Sequence, residues 1–357
     1  MQNILSLFIA PFLVSSVISY LATPYAIKFA YKIGIIDDPK RNIHPKVIHT
    51  YPTPRGGGLS IFFALLISTI IFLPADKYII SILIGATLLT ILGVVDDKFN
   101  LNPYHRIFLQ ILIALIPTLS GVGVAFLTNP FASGTIDLTT PSYALNLFGN
   151  LYILRPVFSL FTLFWIVALM NFLNMGAKGV DGQLPGVTAI AALTIAVLSL
   201  RYSADIAQWS VIILAAIVAG AFLGFLPFNI FPQKIMPSFS GSLLAGYFLA
   251  ILSILSTTKV GTLIVVLGVP LIDTSYTIIR RVLSGKSPVW GDRGHLHHKL
   301  LDQGFSKKQV SYFYWVATAT LGLIAINLNS SYKLYAIIGL IILLGGFLLW
   351  LTYRSKH

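Results

Sequence analysis

Residues 79–100 read IISILIGATLLTILGVVDDKFN, an uncharged and mostly apolar run that ends in two adjacent carboxylates, Asp96 and Asp97. A helix that crosses a bilayer needs about 20 predominantly apolar residues. The run therefore predicts a membrane span that ends at the aspartate pair. Negative charge is unfavourable at a helix C-terminus, where the helix dipole is itself negative. The two carboxylates therefore indicate either a cation nearby that compensates their charge or a functional role at this position.

The composition of the whole chain agrees with this interpretation. The chain has 357 residues, of which 56% are hydrophobic and 10% charged, and its mean hydropathy is +0.86. A soluble domain carries about 25% charged residues, so the composition indicates an integral membrane protein. The net charge of +13 then reflects the excess of Lys and Arg in cytoplasmic loops rather than nucleic-acid binding. The absence of cysteine excludes disulfides, thiolate metal sites and cysteine nucleophiles.

The apolar segments predict an all-α polytopic fold of about eleven transmembrane helices, forming one membrane domain over residues 1–357. The segments lie near 4–23, 58–74, 79–95, 105–128, 158–173, 185–200, 208–226, 241–256, 260–279, 310–328 and 334–352. The stretch 129–157 contains TIDLTTPSYALNL, which combines turn residues with short β-prone runs. It predicts a small extracytoplasmic β-hairpin near 130–155.

The basic residues predict the orientation in the plasma membrane. With the N-terminus outside and the C-terminus cytoplasmic, 19 of the 24 Lys and Arg residues fall on the cytoplasmic side, as the positive-inside rule requires. The predicted cytoplasmic loops are 24–57, 96–106, 174–184, 227–240 and 280–309. All seven histidines, including His44 and His357, and eight of the eleven aspartates lie on that side. This one-sided distribution indicates an active site at the cytoplasmic face.

Asp96 and Asp97 have two interpretations. They form either a solvated helix end neutralised by Lys98 and Arg106, or a site for a divalent cation or phosphate chemistry. Carboxylate oxygens suit Mg²⁺, which uses one or two carboxylates and completes its shell with water and phosphate oxygens. Adjacent carboxylates also shift each other's pKa, which can prepare one of them as a base.

A second motif is GKSPVWGDRGHLHHKLLDQG at 285–304, with His295, His297 and His298 beside Arg293. Zinc binding is one interpretation, but the motif has no cysteine and no distant His–Glu partner. Phosphate binding is favoured, because imidazole and guanidinium groups donate hydrogen bonds to phosphate oxygens. A basic loop that only sets the topology would not need three histidines.

Two further loops carry candidate binding residues. NFLNMGAKGVDGQLPG at 171–186 offers Asn171, Asn174, Lys178 and Asp181 among glycines that allow close backbone approach to a ligand. The loop 37–60 contains Arg41, His44 and Lys46 and ends in a PTPRGGG turn with Arg55 before the second span. A helix start of this kind can bind an anion, although an ordinary basic loop has the same composition.

Asp273 lies inside the apolar segment GVPLIDTSYTIIRR. An ionisable residue within a membrane span is a functional candidate by default. The alternative is a structural pair with Arg280 or Arg281, two turns further along the helix.

Taken together, these motifs resemble the polyprenyl-phosphate N-acetylhexosamine-1-phosphate transferases, the glycosyl transferase family 4. The matching features, in order, are PTPRGGG, the aspartate pair after the third span, the Asn-rich loop after the fifth, LPFNIFPQKI, PLIDT and DRGHLHH. The similarity covers about residues 35–305. The histidine loop and the number of spans resemble the branch that uses UDP-N-acetylglucosamine.

The resemblance implies roles for matching positions. Asp96 and Asp97 would be catalytic, positioning the lipid phosphate or Mg²⁺. The substrate-binding residues would be Asn171, Asn174, Lys178, Asn229, Arg55, Arg293, His295, His297 and His298. The implied cofactor is Mg²⁺, with Mn²⁺ as the alternative, and the implied partners are a UDP-sugar, a polyprenyl phosphate and the membrane. No nucleic acid is expected, and a homodimer is left open.

The chain departs from the family pattern at two places. The pattern N-L-x-D-G-x-D-G-L is here Asn174-Met-Gly-Ala-Lys178-Gly-Val-Asp181-Gly, so one aspartate is missing and a lysine is present. The pattern G-D-x-G-S is here residues 238–242, SFSGS, and Phe239 replaces the aspartate that the family uses as a Mg²⁺ ligand. We expect Asp181 to join Asp97 as a metal ligand, with Lys178 supplying part of the metal's positive charge.

Three functions are compatible with this sequence. The first is an active transferase that starts cell-envelope polysaccharide synthesis and releases UMP. The second is a catalytically inactive relative that binds a nucleotide-sugar or polyprenyl phosphate, which the two departures favour. The third is a transporter, suggested by the many spans and Asp273. A transporter would distribute its charges through the membrane depth, whereas here they collect on one side.

Overall fold

The computed structural model describes residues 4–40, 47–129, 134–147, 150–256 and 259–354. In these ranges the chain folds into a bundle of helices with three two-stranded antiparallel sheets. The helices are α1 (Leu5–Ile33), α2 (Gly58–Phe72), α3 (Lys77–Phe99), α4 (Pro103–Leu119), α5 (Pro156–Gly176), α6 (Gln183–Leu200), α7 (Trp209–Asn229), α8 (Ser238–Leu255), α9 (Lys259–Val266), α10 (Gly268–Leu283), α11 (Leu296–Asp302), α12 (Lys307–Asn327) and α13 (Ser330–Arg354). The strands are β1 (Ile36–Asp37), β2 (Thr53–Pro54), β3 (Phe126–Thr128), β4 (Thr135–Asp137), β5 (Tyr143–Leu147) and β6 (Asn150–Leu154).

The chain is a multi-pass membrane protein, and its described ranges contain fewer candidate spans than the eleven predicted. Within the described ranges, eight helices are long and apolar enough to cross a membrane, or nine if α9 and α10 count as one bent span. The predicted segments 58–74 and 105–128 correspond to α2 with 15 residues and α4 with 17. At about 1.5 Å per residue, such helices fall short of a hydrocarbon core of about 30 Å.

The segment 105–128 is wrong as a single span. Helix α4 ends at Leu119, and Gly121 follows it with a positive φ of 101°. The chain then continues into β3, which pairs with β4. A second hairpin, β5–β6, precedes α5. The predicted single hairpin near 130–155 is therefore two small hairpins, part of whose connecting residues lie outside the described ranges.

The predicted span 260–279 is also divided. Helices α9 and α10 meet at an angle of 84° around Leu267. Gly268 and Pro270 lie in the first turn of α10, and Pro is tolerated there because the first helical N–H groups lack intrahelical partners. The bend changes the direction of α10, which carries Asp273 in its middle and Arg281 near its end.

Helix α8 forms the centre of the bundle. Residues 238–253 are all buried, and α8 packs against both α3 and α5. Helices α6 and α7 pack together, α1 lies on α7, and α12 lies on α6. A helix that is apolar on all faces, such as α8, is expected in the interior of a membrane bundle.

Two glycines bring α2 and α3 close to the start of α8. A Cβ at Gly93 would lie 2.3 Å from Ser240 Cα, and a Cβ at Gly58 would lie 2.3 Å from Ser240 Oγ. Only glycine permits these approaches. Since Gly93 precedes Asp97 by one helical turn, this packing places Asp97 beside Phe239.

Candidate active site

A cavity of about 1550 Å³ opens at one end of the bundle, where α3, α5 and α10 end and α8 begins. Residues from all five predicted cytoplasmic loops line it. The predicted site residues in its wall are Arg55, Asp96, Asp97, Asn171, Asn174, Lys178, Asp181, Asn229, His295, His297 and His298. Arg293 is not among the lining residues, and its guanidinium pairs with Asp302 at 2.5 Å. Arg41, His44, Lys46 and His357 lie outside the described residues.

Asp96 and Asp97 are both buried but have different environments. Asp96 Oδ1 accepts a hydrogen bond from the Leu101 N–H at 3.0 Å, and Oδ2 pairs with Arg106 Nη1 at 3.2 Å. Asp97 Oδ1 lies 3.5 Å from Arg55 Nε, whereas Asp97 Oδ2 is buried without a hydrogen-bond partner. Asp96 therefore stabilises the turn after α3, and Asp97 retains an oxygen for a ligand.

The PTPRGGG turn positions Arg55 beside Asp97. Strand β2 pairs with β1, and the Met236 N–H donates to the Pro54 carbonyl at 2.9 Å. The Gly57 N–H donates to the Met236 carbonyl at 2.9 Å. These bonds attach the turn to the residues that precede α8. The backbone on both sides of Arg55 is therefore fixed, and its side chain is held beside Asp97.

Phe239 occupies the position where the family pattern has an aspartate. Its backbone N–H donates to Asp97 Oδ1 at 3.4 Å, and the Arg106 guanidinium lies 5.1 Å from the centre of its ring. A guanidinium within about 6 Å of an aromatic ring is attracted by the ring's negative face. Phe239 thus holds Arg106 close to the aspartate pair.

Lys178 lies in the loop between α5 and α6 and lines the cavity. Burial and the nearby Arg55 lower the pKa of its ammonium group to about 8, although Asp97 and Asp96 act in the opposite direction. Lys178 therefore belongs electrostatically to the cluster around Asp97, a placement that loop composition alone could not reveal.

Asp181 and Asn229 organise the start of α6. Burial raises the pKa of Asp181, opposed by Lys307, whose Nζ lies 3.6 Å from Oδ1. Asp181 Oδ2 is buried without a hydrogen-bond partner. Asn229 accepts from the Gly182 N–H at 3.0 Å and donates to Gln233 and the Ile235 carbonyl. These bonds shape the turn at Gly182, whose φ of 83° favours glycine.

The two asparagines at the end of α5 join neighbouring helices. Asn171 donates to Gln110 Oε1 of α4 at 2.6 Å and to the Val167 carbonyl at 2.8 Å. Asn174 Oδ1 accepts from Ser242 Oγ of α8 at 2.9 Å. Both side chains line the cavity. Their hydrogen bonds therefore join this part of the cavity wall to α4 and α8.

The three histidine rings contact one another in the cavity wall. The rings of His295 and His297 are nearly parallel at 5.5 Å, and His298 lies 4.3 Å from His297. Burial lowers the pKa of His297 well below its usual value and that of His298 to about 4. Both imidazoles are therefore neutral near pH 7. Their Nδ1 atoms are buried without hydrogen-bond partners, and Gly179 packs directly against the His297 ring.

Asp273 contacts His295 rather than the arginines proposed as its structural partners. Asp273 Oδ2 lies 2.9 Å from His295 Nδ1, and Oδ1 accepts the Leu296 N–H at 2.7 Å. Arg280 and Arg281 instead bind Asp292. Burial alone would raise the pKa of Asp292, but hydrogen bonds from Arg281 and the Gly294 N–H lower it to about 2. The bend before α10 directs Asp273 to the histidine loop.

The cavity continues along an apolar side between α4 and α5. Its wall there is formed by Ile107, Ile111, Leu160, Leu163, Phe164 and Val167. Leu160 and Phe164 are 68% and 67% exposed, so this side opens onto the outer surface of the helical bundle. The sequence alone does not reveal this feature, because these residues are indistinguishable from the apolar faces of ordinary spans.

The described residues around Asp97 do not make a complete Mg²⁺ site. Phe239 has no donor atom for Mg²⁺, and the oxygens of Asp96 are bound to Arg106 and Leu101. No group of three or more His or Asp residues in the described part of the chain could hold a metal ion. Arg55, Arg106 and Lys178 surround the pair of carboxylates, and their positive charge opposes a divalent cation.

Comparison with known proteins gave consistent matches. The family model described as glycosyl transferase family 4 matches residues 79–257. The chain is 31% identical over 332 residues to the probable undecaprenyl-phosphate N-acetylglucosaminyl 1-phosphate transferase of Bacillus subtilis (strain 168), covering 90% of this chain and 85% of that protein. It is 28% identical over 346 residues to the decaprenyl-phosphate N-acetylglucosaminephosphotransferase of Mycolicibacterium smegmatis, covering 87% and 80%. It is 30% identical over 342 residues to a phospho-N-acetylmuramoyl-pentapeptide-transferase of Thermoanaerobacter sp. (strain X514), covering 89% and 96%.

Proposed function

Because the chain belongs to glycosyl transferase family 4, we propose that it transfers a sugar-1-phosphate from a UDP-sugar to a polyprenyl phosphate, releasing UMP. The proposed sugar is an N-acetylhexosamine, with N-acetylglucosamine first, as in the names of the Bacillus and Mycolicibacterium relatives. The reaction would take place at the cytoplasmic face of the plasma membrane, where it would start the synthesis of a cell-envelope polysaccharide.

The observation that carries this proposal is the shape of the cavity. One end is lined by charged and imidazole groups, and the side between α4 and α5 is apolar and open to the outer surface of the bundle. A nucleotide-sugar is a polar anion, whereas a polyprenyl phosphate has a long apolar chain. A cavity that joins the two environments suits a reaction between these substrates.

The proposed reaction joins the two substrates in one displacement. An oxygen of the lipid phosphate attacks the β-phosphorus of the UDP-sugar, and the bond between that phosphorus and the bridging oxygen breaks. UMP leaves with the bonding electrons, and the sugar remains on the lipid diphosphate. Phosphoryl transfer of this type depends mainly on positioning and on neutralisation of negative charge.

The side chains divide this work between them. Asp97 Oδ2, which is buried and without a hydrogen-bond partner, would align the attacking lipid phosphate and keep it deprotonated. Arg55 and Lys178 would neutralise the diphosphate, and the neutral His297 and His298 would donate hydrogen bonds to its oxygens. Asp96 and Asn229 would act through the backbone that they stabilise.

The cofactor remains a prediction. The family is typically Mg²⁺-dependent, and the sequence predicts Mg²⁺ or Mn²⁺ at Asp97 and Asp181. These two aspartates have the unpartnered carboxylate oxygens of the cavity among the described residues.

The second candidate is a relative that binds these substrates without turnover, which Phe239 and the missing aspartate favour. The transporter interpretation receives no support from the family membership, since the matched relatives carry the names of transferases. A homodimer remains a prediction.

The test is UMP release by the purified protein in detergent, with a panel of UDP-sugars and a polyprenyl phosphate. The matched control replaces the acceptor by the corresponding polyprenol, which has the same chain but no phosphate. We expect UMP only with the phosphorylated acceptor. Binding of UDP-sugar without UMP release under any condition would indicate the inactive relative.

A further inference from the structure

Two carboxylates of the family pattern are absent from this site, and a lysine has been added. Phe239 stands where one aspartate is expected, and Lys178 lies in the loop from which the other is missing. Both residues line the same cavity as Asp97. The two differences from the family pattern lie in separate segments of the chain, but both change the charge of the same cluster around Asp97.

Phe239 does more than leave its position without a metal ligand, because its ring also contacts a cation. The ring lies under the Arg106 guanidinium at 5.1 Å, and Arg106 Nη1 binds Asp96 Oδ2 at 3.2 Å. An aromatic ring and a carboxylate together hold the cation. An aspartate at position 239 would attract a metal ion to this place, whereas phenylalanine stabilises an arginine there.

The charges of the cluster have a positive excess. Arg55 pairs with Asp97 and Arg106 with Asp96, and Lys178 lines the same cavity and interacts electrostatically with both carboxylates, so three cations oppose two anions. Asp181, the other candidate metal ligand, has its own cation in Lys307 at 3.6 Å. A cluster of this charge attracts a diphosphate directly and repels Mg²⁺.

We infer that the Lys178 ammonium, together with Arg55, takes the place of the divalent cation on the sugar diphosphate, so that this chain binds and uses its nucleotide-sugar without a bound metal. The inference rests on the proposed function for its substrate. It assigns Lys178 as a catalytic residue that contacts the diphosphate, and it assigns Phe239 as a positioning residue that acts through Arg106.

The experiment measures three quantities on the purified full-length protein: Mn²⁺ binding by electron paramagnetic resonance, UDP-N-acetylglucosamine binding by calorimetry, and UMP release. The last two are measured with chelator and with Mg²⁺. The variants are Lys178→Gln, Lys178→Arg and the double variant Lys178→Asp/Phe239→Asp. Lys286→Gln is the control, because Lys286 is exposed and lies outside the cavity wall.

For the wild-type protein we expect no saturable Mn²⁺ binding, and equal nucleotide-sugar binding and UMP release with chelator and with Mg²⁺. Lys178→Gln should lower UMP release by about 100-fold, the effect of removing one group that stabilises the transition-state charge. Lys178→Arg should retain part of the activity. The double variant, which restores both carboxylates, should bind Mn²⁺ and need a metal for nucleotide-sugar binding.

Saturable Mn²⁺ binding by the wild-type protein that is lost in Asp181→Asn would overturn the inference and establish the predicted Asp97–Asp181 site. Loss of wild-type activity in chelator, with recovery in Mg²⁺, would overturn it as well. If no UMP is released under any condition, the proposed function fails. The inference is then judged by nucleotide-sugar binding alone, which must persist in chelator and fall in Lys178→Gln.

Discussion

The two walls of the cavity differ in how firmly their polar groups are held. We define the histidine wall as Arg281, Asp292, His295 and His297 together with Asp273, a buried residue that binds His295 from behind the cavity surface, and the aspartate wall as Arg55, Asp96, Asp97, Lys178 and Phe239. In the histidine wall, Asp273 binds His295 at 2.9 Å and Arg281 binds Asp292 at 3.0 Å. In the aspartate wall, both contacts to Asp97 Oδ1 are 3.4–3.5 Å long and Oδ2 has no hydrogen-bond partner.

This difference separates two kinds of contribution. In the histidine wall the charged groups are already paired with one another, although His297 Nδ1 is buried without a hydrogen-bond partner. The aspartate wall retains uncompensated charge, which is costly in a buried place unless a ligand provides the partner. We therefore expect the largest functional effects from the aspartate wall, and smaller effects from partners within the histidine wall.

Asp97→Asn should have the largest effect. We expect kcat for UMP release to fall by about 1,000-fold, the upper range for loss of one charge-stabilising group, with the thermal unfolding midpoint unchanged. Asp137→Asn is the matched control, since Asp137 lies in the exposed strand β4. Activity of Asp97→Asn within a few-fold of the wild type would remove Asp97 from the chemistry.

Asp273→Asn should have an intermediate effect. Asparagine keeps the shape of the side chain but loses the charge that orients the His295 ring. A charge-assisted hydrogen bond contributes about 1.5–3 kcal/mol, so we expect kcat/KM to fall by about 10- to 100-fold, as measured in initial-rate assays over a range of UDP-sugar concentrations. An unchanged kcat/KM would show that the orientation of His295 does not matter to turnover.

The third effect, smaller than the first two, is a decrease of kcat/KM at alkaline pH caused by loss of the positive charge on Lys178. Since its pKa is lowered to about 8, the charge is present below pH 8 and is lost as the pH rises through that value. We expect kcat/KM for the UDP-sugar to fall by about tenfold per pH unit on the alkaline side. In Lys178→Arg, which keeps its charge at alkaline pH, the decline should disappear. A wild-type profile that is flat to pH 9.5 would contradict this assignment.

Arg293→Gln should have the smallest effect. The sequence predicts a substrate-binding role, but the guanidinium pairs with Asp302 away from the cavity wall. Exposed ion pairs contribute about 0–1 kcal/mol, so we expect KM and thermal stability to change little. A tenfold increase in KM for the UDP-sugar would support the role predicted from the sequence.

The sequence predicted the helical segments well and their lengths less well. Each of the eleven apolar runs contains a helix, because apolar composition is a strong signal over 15 residues or more. The early end of α4 before Gly121 and the 84° bend before Gly268 were not predicted. Both depend on how the chain packs around single glycine and proline positions, which hydropathy does not register.

The family predicted from the motifs is confirmed by the family match and the relatives. Partnerships between distant residues were harder to predict. Asp273 was interpreted either as a functional residue or as the partner of an arginine on its own helix, and the structure pairs it with His295. The stacking of Arg106 on Phe239 and the position of Lys178 beside Asp97 also depend on contacts between loops far apart in sequence.

The most direct test of the account is to identify both products of one reaction by mass spectrometry. Purified protein would be incubated with UDP-N-acetylglucosamine and a polyprenyl phosphate. The account predicts UMP and a lipid diphosphate carrying the sugar in equal amounts, because the β-phosphorus is attacked. Formation of UDP with a lipid monophosphate-linked sugar would place the attack on the sugar carbon and contradict the account.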